Sequence, residues 1–135
     1  METNLTLNTT QLAMLNIGEL AYLGDSVYDM AIRKGLLLRG VRKNNHLVKS
    51  AQHFVSATAQ AAILKQIEPI LTEEEHRIIE RGRNAKPKKV PKSATQKEYA
   101  DATALESLFG YLLLTEKELR MAELIEAIFE KVGVA

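Results

Sequence analysis

Hydrophobic residues recur along the chain at intervals of three and four, without stretches of strict alternation. The pattern predicts helices throughout and an all-α fold. Wound at about 100° per residue, residues 19–34 bring Leu20, Leu23, Gly24, Val27, Ala31 and Lys34 near one line. Asp25 falls about 140° from Leu20, at the border of that apolar stripe. In a later segment Ala102, Leu105, Leu108, Phe109, Leu112 and Leu113 form one broad apolar face, with Glu106 at its edge.

Punctuation supplies the other expected elements. Residues 1–8 are polar and read as a frayed terminus, with residues 9–135 as one domain. Asn8 or Thr9 caps a short helix through Leu15, and Ile17-Gly18 interrupts it before a helix starting near Glu19. Gly35 and Gly40 mark the exit of that helix, with Leu36, Leu37 and Leu38 still buried. Asn44 or Asn45 caps one long helix to about Gln66, and Pro69 ends the region. Thr72 with Glu75 is a capping box, which makes Glu73, Glu74 and Glu75 first-turn acids. Residues 86–92 carry Pro87 and Pro91 and read as a mobile loop. Ser93 with Gln96, and Thr115 with Glu118, are further capping-box patterns for the last two helices, the second ending near Lys131.

Two border carboxylates on two core helices converge if the stripes pack together. Such a pair suits a hard divalent cation such as Mg²⁺, which keeps several waters and takes one or two carboxylates plus phosphate oxygens. The plain alternative is a pair of surface acids that happen to lie beside the core.

Composition bounds the rest. At 135 residues and 46% hydrophobic, the chain fits one domain with a real core. It holds no apolar run of 18 or more residues, no secretory leader pattern and no cysteine, so a cytoplasmic protein without thiolate metal sites is expected. The net charge of +1 conceals segregation: residues 33–49 carry six Lys/Arg and residues 81–97 seven, with no acid in either block. That is the footprint of a polyanion-binding surface, or else of two solvated basic faces. Arg33 can also pair with Asp29 one turn earlier. His46 and His53 stand about 10 Å apart along a helix, too far to share an ion. Four dispersed tyrosines make no base-stacking platform, which favours a duplex over a single strand.

These residues resemble a known family. Leu20-Ala21-Tyr22-Leu23-Gly24-Asp25-Ser26-Val27 is similar to the signature of ribonuclease III, and Glu106-Ser107-Leu108-Phe109-Gly110 to its later acidic element. Arg81-Gly82-Arg83-Asn84-Ala85-Lys86 resembles the hallmark of the Mini-ribonuclease III branch, which has no separate RNA-binding domain. Ribonuclease III proper has glutamates where this chain has Ala21 and Gly18, and an aspartate where it has Thr103. Only Asp25 and Glu106 carry over as catalytic and metal-binding acids. Asp101 would need a helix irregularity to assist, and Glu19 suits the helix N-terminus.

The resemblance implies a homodimeric endoribonuclease joined through the signature helix. It would use Mg²⁺, or Mn²⁺ in its place, on double-stranded RNA, leaving 5′-phosphate and 3′-hydroxyl ends. With two family glutamates missing, one ion is expected to bind firmly and a second to arrive with the RNA. Arg81, Arg83, Asn84, Lys86, Lys88, Lys89 and Lys92 are the expected RNA contacts. The implied substrate is the precursor of large-subunit (23S) ribosomal RNA, with a ribosomal protein as a possible presenting partner. Competing readings are a non-catalytic helical module docking on RNA in ribosome assembly, and an all-α Mg²⁺-dependent nucleotide pyrophosphatase, for which only residues 73–80 approach the needed acid spacing.

Overall fold

A computed structural model describes residues 7–85 and 94–133. Among the described residues seven α-helices follow one another: α1 (Thr9–Met14), α2 (Ile17–Leu38), α3 (Asn44–Val55), α4 (Ala57–Ile67), α5 (Glu73–Arg83), α6 (Gln96–Leu114) and α7 (Glu118–Val132). A single 3₁₀ turn, Glu68–Ile70, joins α4 to α5. The described residues contain no strand.

Helix α6 is the central element. From Ala104 to Leu112 all but Glu106 are buried on every side of the helix, as a helix surrounded by partners requires. It packs against α2, α4, α5 and α7. Tyr28, Ile32 and Leu36 from α2, Leu64 and Ile67 from α4, and Leu124 and Ile128 from α7 complete the core around Leu105, Leu108 and Phe109. Tyr28 meets Phe109 edge-on with ring centroids 5.2 Å apart.

The closest approach is between α2 and α6. A Cβ on Gly24 would stand 1.6 Å from the Glu106 carbonyl oxygen, and one on Gly110 would stand 2.1 Å from that of Leu20. The two backbones therefore touch directly, and any side chain at either position would drive the helices apart. A similar contact sets Gly82 of α5 against Ala104 of α6.

Local capping follows the expected chemistry at several ends. Asn8 and Gln11, Thr72 and Glu75, and Thr95 and Glu98 form reciprocal capping boxes. The last of these replaces the expected Ser93–Gln96 box, and Ser93 lies outside the described residues, as do residues 1–6 and the expected loop at 86–92.

Other expectations are corrected. Helix α2 starts at Ile17 rather than near Glu19, because Asn16 caps it with Glu19 as reciprocal partner. It also runs through Gly35, where a Cβ would strike the Phe129 ring at 2.3 Å, so Gly35 serves helix packing and not exit. Leu36 is buried, but Leu37 and Leu38 face outwards on the last turn, Leu38 with 74% of its surface exposed. The expected single helix from residue 44 to 66 is two helices, broken at Ser56, which is extended at ψ 155° and caps α4 through its hydroxyl. Lys43 at φ +73°, with no side-chain cap, precedes α3, so neither Asn44 nor Asn45 is the capping residue. Thr115 closes α6 by donating to the Tyr111 carbonyl at 2.7 Å and does not cap α7, which begins after Lys117.

Gly24→Ala should destabilise the fold by about 3 kcal/mol or more, because overpacking here meets main chain that cannot rotate away. Gly133→Ala, at φ +77° with open space around it, should cost only about 1 kcal/mol. Urea midpoints measured side by side check the contrast, and equal losses would contradict a backbone contact at Gly24.

Candidate active site

The Gly24–Gly110 crossing determines where the two acids of the sequence reading lie. Asp25 follows Gly24 directly, and Glu106 stands one turn before Gly110 with its own carbonyl against Gly24. Asp25 is exposed and Glu106 half-buried, and their carboxyl groups come within hydrogen-bonding reach. Burial pushes the Glu106 carboxyl up to about 8; the neighbouring Asp25 charge adds to the rise, and a hydrogen bond from Gln60 partly offsets it.

Two buried side chains back Glu106 from the interior. Gln60 Nε2 donates to the Val55 carbonyl at 3.0 Å and reaches Glu106 Oε2 at 3.4 Å. Tyr28 donates its hydroxyl to the Phe54 carbonyl at 2.8 Å. Burial, and then the charge of Glu106, hold that phenol in its neutral form. The sequence reading missed both residues. Gln60 is a polar side chain among Ala59, Ala61 and Ile63, and that mismatch was its signal.

The other acids are placed elsewhere. Asp101 is buried and accepts from Arg83 Nε at 2.8 Å and Lys97 Nζ at 3.0 Å. Burial opposes its charge, but the hydrogen bonds and charges of Arg83 and Lys97 prevail and hold its carboxyl below the usual range. Arg83 also pairs with Glu68, so this cluster fastens α5 to α6 and to the 3₁₀ turn. Glu19 stays in its capping box, and Glu75 is buried against Arg120.

The expected RNA contacts divide into three groups. Arg81 and Asn84 are exposed at the end of α5. Arg83, expected as an RNA contact, is half-buried and held in the internal ion pairs just described. Lys86, Lys88, Lys89 and Lys92 lie outside the described residues. In the first basic block, Arg33 pairs with Asp29 at 3.1 Å, and Arg39 pairs with Glu126 while lying 4.0 Å over the Phe129 ring. His46 and His53 are both exposed on α3.

Among the described residues neither Asp25 nor Glu106 has a Lys or Arg in ion-pairing range, and no group of three or more His, Asp or Glu gathers around a common point. Adjacent carboxylates, one of them shifted upward by burial and by its neighbour's charge, are oxygen donors that fit a small hard cation. Two protein oxygen donors, with the remainder from water and substrate, is the coordination that Mg²⁺ accepts.

Residues 18–117 match the ribonuclease III domain family. The chain belongs to the ribonuclease III family. Within it, the chain is similar to Mini-ribonuclease 3 of Symbiobacterium thermophilum, at 48% identity over 80% of this chain and 83% of that protein. Mini-ribonuclease 3 of Enterococcus faecalis is 45% identical over 88% of this chain and 92% of its own length. A crystal structure of a Fusobacterium nucleatum protein superposes with a TM-score of 0.79 at 34% identity, covering 90% of this chain and 97% of that one. This member of the Mini-ribonuclease III branch is an endoribonuclease with the all-α fold of its family. No helix of the described residues is long and apolar enough to cross a membrane.

The raised Glu106 value has a stability consequence with a definite sign. Between the ordinary 4.5 and about 8 the folded chain holds a proton that the unfolded chain has released, so stability of the metal-free protein falls as pH rises through that window. Glu106→Gln should flatten this part of the profile of urea midpoint against pH, and Mg²⁺ should restore wild-type stability at its upper end. Parallel slopes for the two proteins would contradict a proton held at Glu106.

Proposed function

We propose that Asp25 and Glu106 together hold a divalent cation, Mg²⁺ or in its place Mn²⁺, and hydrolyse phosphodiester bonds in double-stranded RNA. The observation that carries this is the side-by-side placement of the two carboxylates, without a cationic partner among the described residues, beside the Gly24–Gly110 approach of α2 and α6. A bound divalent ion supplies positive charge at the scissile phosphate and acidifies a water molecule. Asp25 would hold the ion from the solvent side and Glu106 from the interior, where Gln60 Nε2 reaches its Oε2. As a ligand Glu106 would be in its ionised form. Water is the nucleophile, the P–O3′ bond breaks, and the ends left are 5′-phosphate and 3′-hydroxyl.

A homodimer built on α2 would set two such sites facing opposite strands. Its support is an outward stripe of Tyr22, Met30 and Leu37, with Tyr22 84% exposed. The substrate we propose is a duplex end of the large-subunit (23S) ribosomal RNA precursor, met in the cytoplasm. Arg39 and Arg83 are engaged within the fold, which leaves fewer cations to select a sequence and favours a ribosomal protein that presents the RNA. Arg81 and Asn84 flank the duplex, together with Lys86, Lys88, Lys89 and Lys92.

Asp25→Asn should lower cleavage of an RNA duplex by at least about 10³-fold while circular dichroism and duplex binding stay at wild-type levels. Retained cleavage would remove the assignment. No cleavage by the wild-type protein with Mg²⁺ or Mn²⁺ would favour an RNA-docking role. Replacing Lys88, Lys89 and Lys92 together with Ala should weaken duplex binding and reduce the slope of log affinity against log salt by about 2 to 3. An unchanged slope would make that segment a bystander.

A further inference from the structure

The break between α3 and α4 does more than turn the chain. In an unbroken helix the Val55 carbonyl would accept from the Ala59 N–H. Here Ser56 is extended, and Ala59 N–H donates instead to Ser56 Oγ at 3.1 Å. The Val55 carbonyl is thereby released, and Gln60 Nε2 takes it at 3.0 Å. Because a carbonyl only accepts, this bond establishes which end of the amide is the nitrogen. The second N–H of that nitrogen is the one that reaches Glu106 Oε2 at 3.4 Å. The neighbouring Phe54 carbonyl, on the last turn of α3, is likewise used by Tyr28.

Gln60 is only 2% exposed, and its Oε1 is buried without a hydrogen-bond partner among the described residues. For packing alone, a leucine of similar volume would fill the space and bury no unmatched oxygen. What explains the polar group is its donor side.

We propose that Gln60 is a positioning residue for the cation site: its amide ties Glu106 Oε2 to the main chain at the α3–α4 break and holds that carboxylate in one orientation beside Asp25. The proposal rests on the cation-binding reading of Asp25 and Glu106. Groups that orient a metal-binding side chain typically contribute ten- to a hundred-fold in metal affinity, at about the 10–100-fold level seen elsewhere.

The test is Mn²⁺ binding to the full-length, RNA-free protein by electron paramagnetic resonance, for wild type, Asp25→Asn, Gln60→Leu and Gln60→Met. The two Gln60 variants should keep wild-type circular dichroism and thermal midpoint but bind Mn²⁺ about ten-fold or more weakly. With an RNA duplex their kcat should fall, KM for RNA should stay within about two-fold, and excess Mn²⁺ should recover the rate, as expected for an ion held less well. Wild-type Mn²⁺ affinity in Gln60→Leu and Gln60→Met would overturn the proposal while leaving the cation site intact, provided Asp25→Asn has lost binding. Equal binding by wild type and Asp25→Asn would instead remove the cation site and the proposal with it. If both Gln60 variants fail to fold, Gln60 belongs to the core alone and the proposal is wrong.

Discussion

Direct contact between the backbones of Gly24 and Gly110 is the constraint on which the molecule depends. Two helices that cross over side chains keep 8–10 Å between their axes, and short carboxylates on their flanks would then stay apart. Removing both side chains at the crossing brings the main chains together and carries Asp25 and Glu106 with them. Burial, and then the like charge of Asp25, disfavour the ionised form of Glu106 and raise its carboxyl. On the proposed cation-binding role, such a site would be costly to the metal-free fold and favourable with the ion bound, coupling folding to ligand binding through one pair of residues.

That cost is offset by clamps on the far sides of α6. Arg120 donates to the buried Glu75 from two of its guanidinium nitrogens, Nε and Nη2, and Nη2 also donates to the Ile70 carbonyl, joining α7 to the start of α5. Arg83 joins Asp101 and Glu68 across α5, α6 and the 3₁₀ turn. Breaking a buried pair by removing one partner costs about 3–5 kcal/mol, whereas an exposed pair such as Arg33 with Asp29 contributes at most about 1 kcal/mol. The structural ion pairs are thus internal and away from the Asp25–Glu106 pair, which remains available for a ligand.

What the sequence made legible is what depends on near neighbours. Capping boxes at Asn8 and Thr72 and the border positions of Asp25 and Glu106 follow from spacing along one helix. What it obscured depends on tertiary approach. Gly35 looks like a stop signal until the Phe129 ring is seen against it. Thr115 and Glu118 have capping-box spacing, but the threonine hydroxyl is used within α6. The α3–α4 break did leave a trace: Leu47, Ala51 and Phe54 share one face, and Ile63, Leu64 and Ile67 fall about half a turn out of phase with it. A continuous helix could not bury both sets on one side, and Ser56 is where the phase resets.

The most direct measurement is a crystal structure of the wild-type protein grown with MnCl₂, with anomalous scattering locating the ion. Expected is a strong peak within about 2.0–2.3 Å of one carboxylate oxygen from Asp25 and one from Glu106, beside the Gly24–Gly110 contact. A peak bound elsewhere, or density showing the two carboxylates turned to separate regions of solvent, would contradict the central claim.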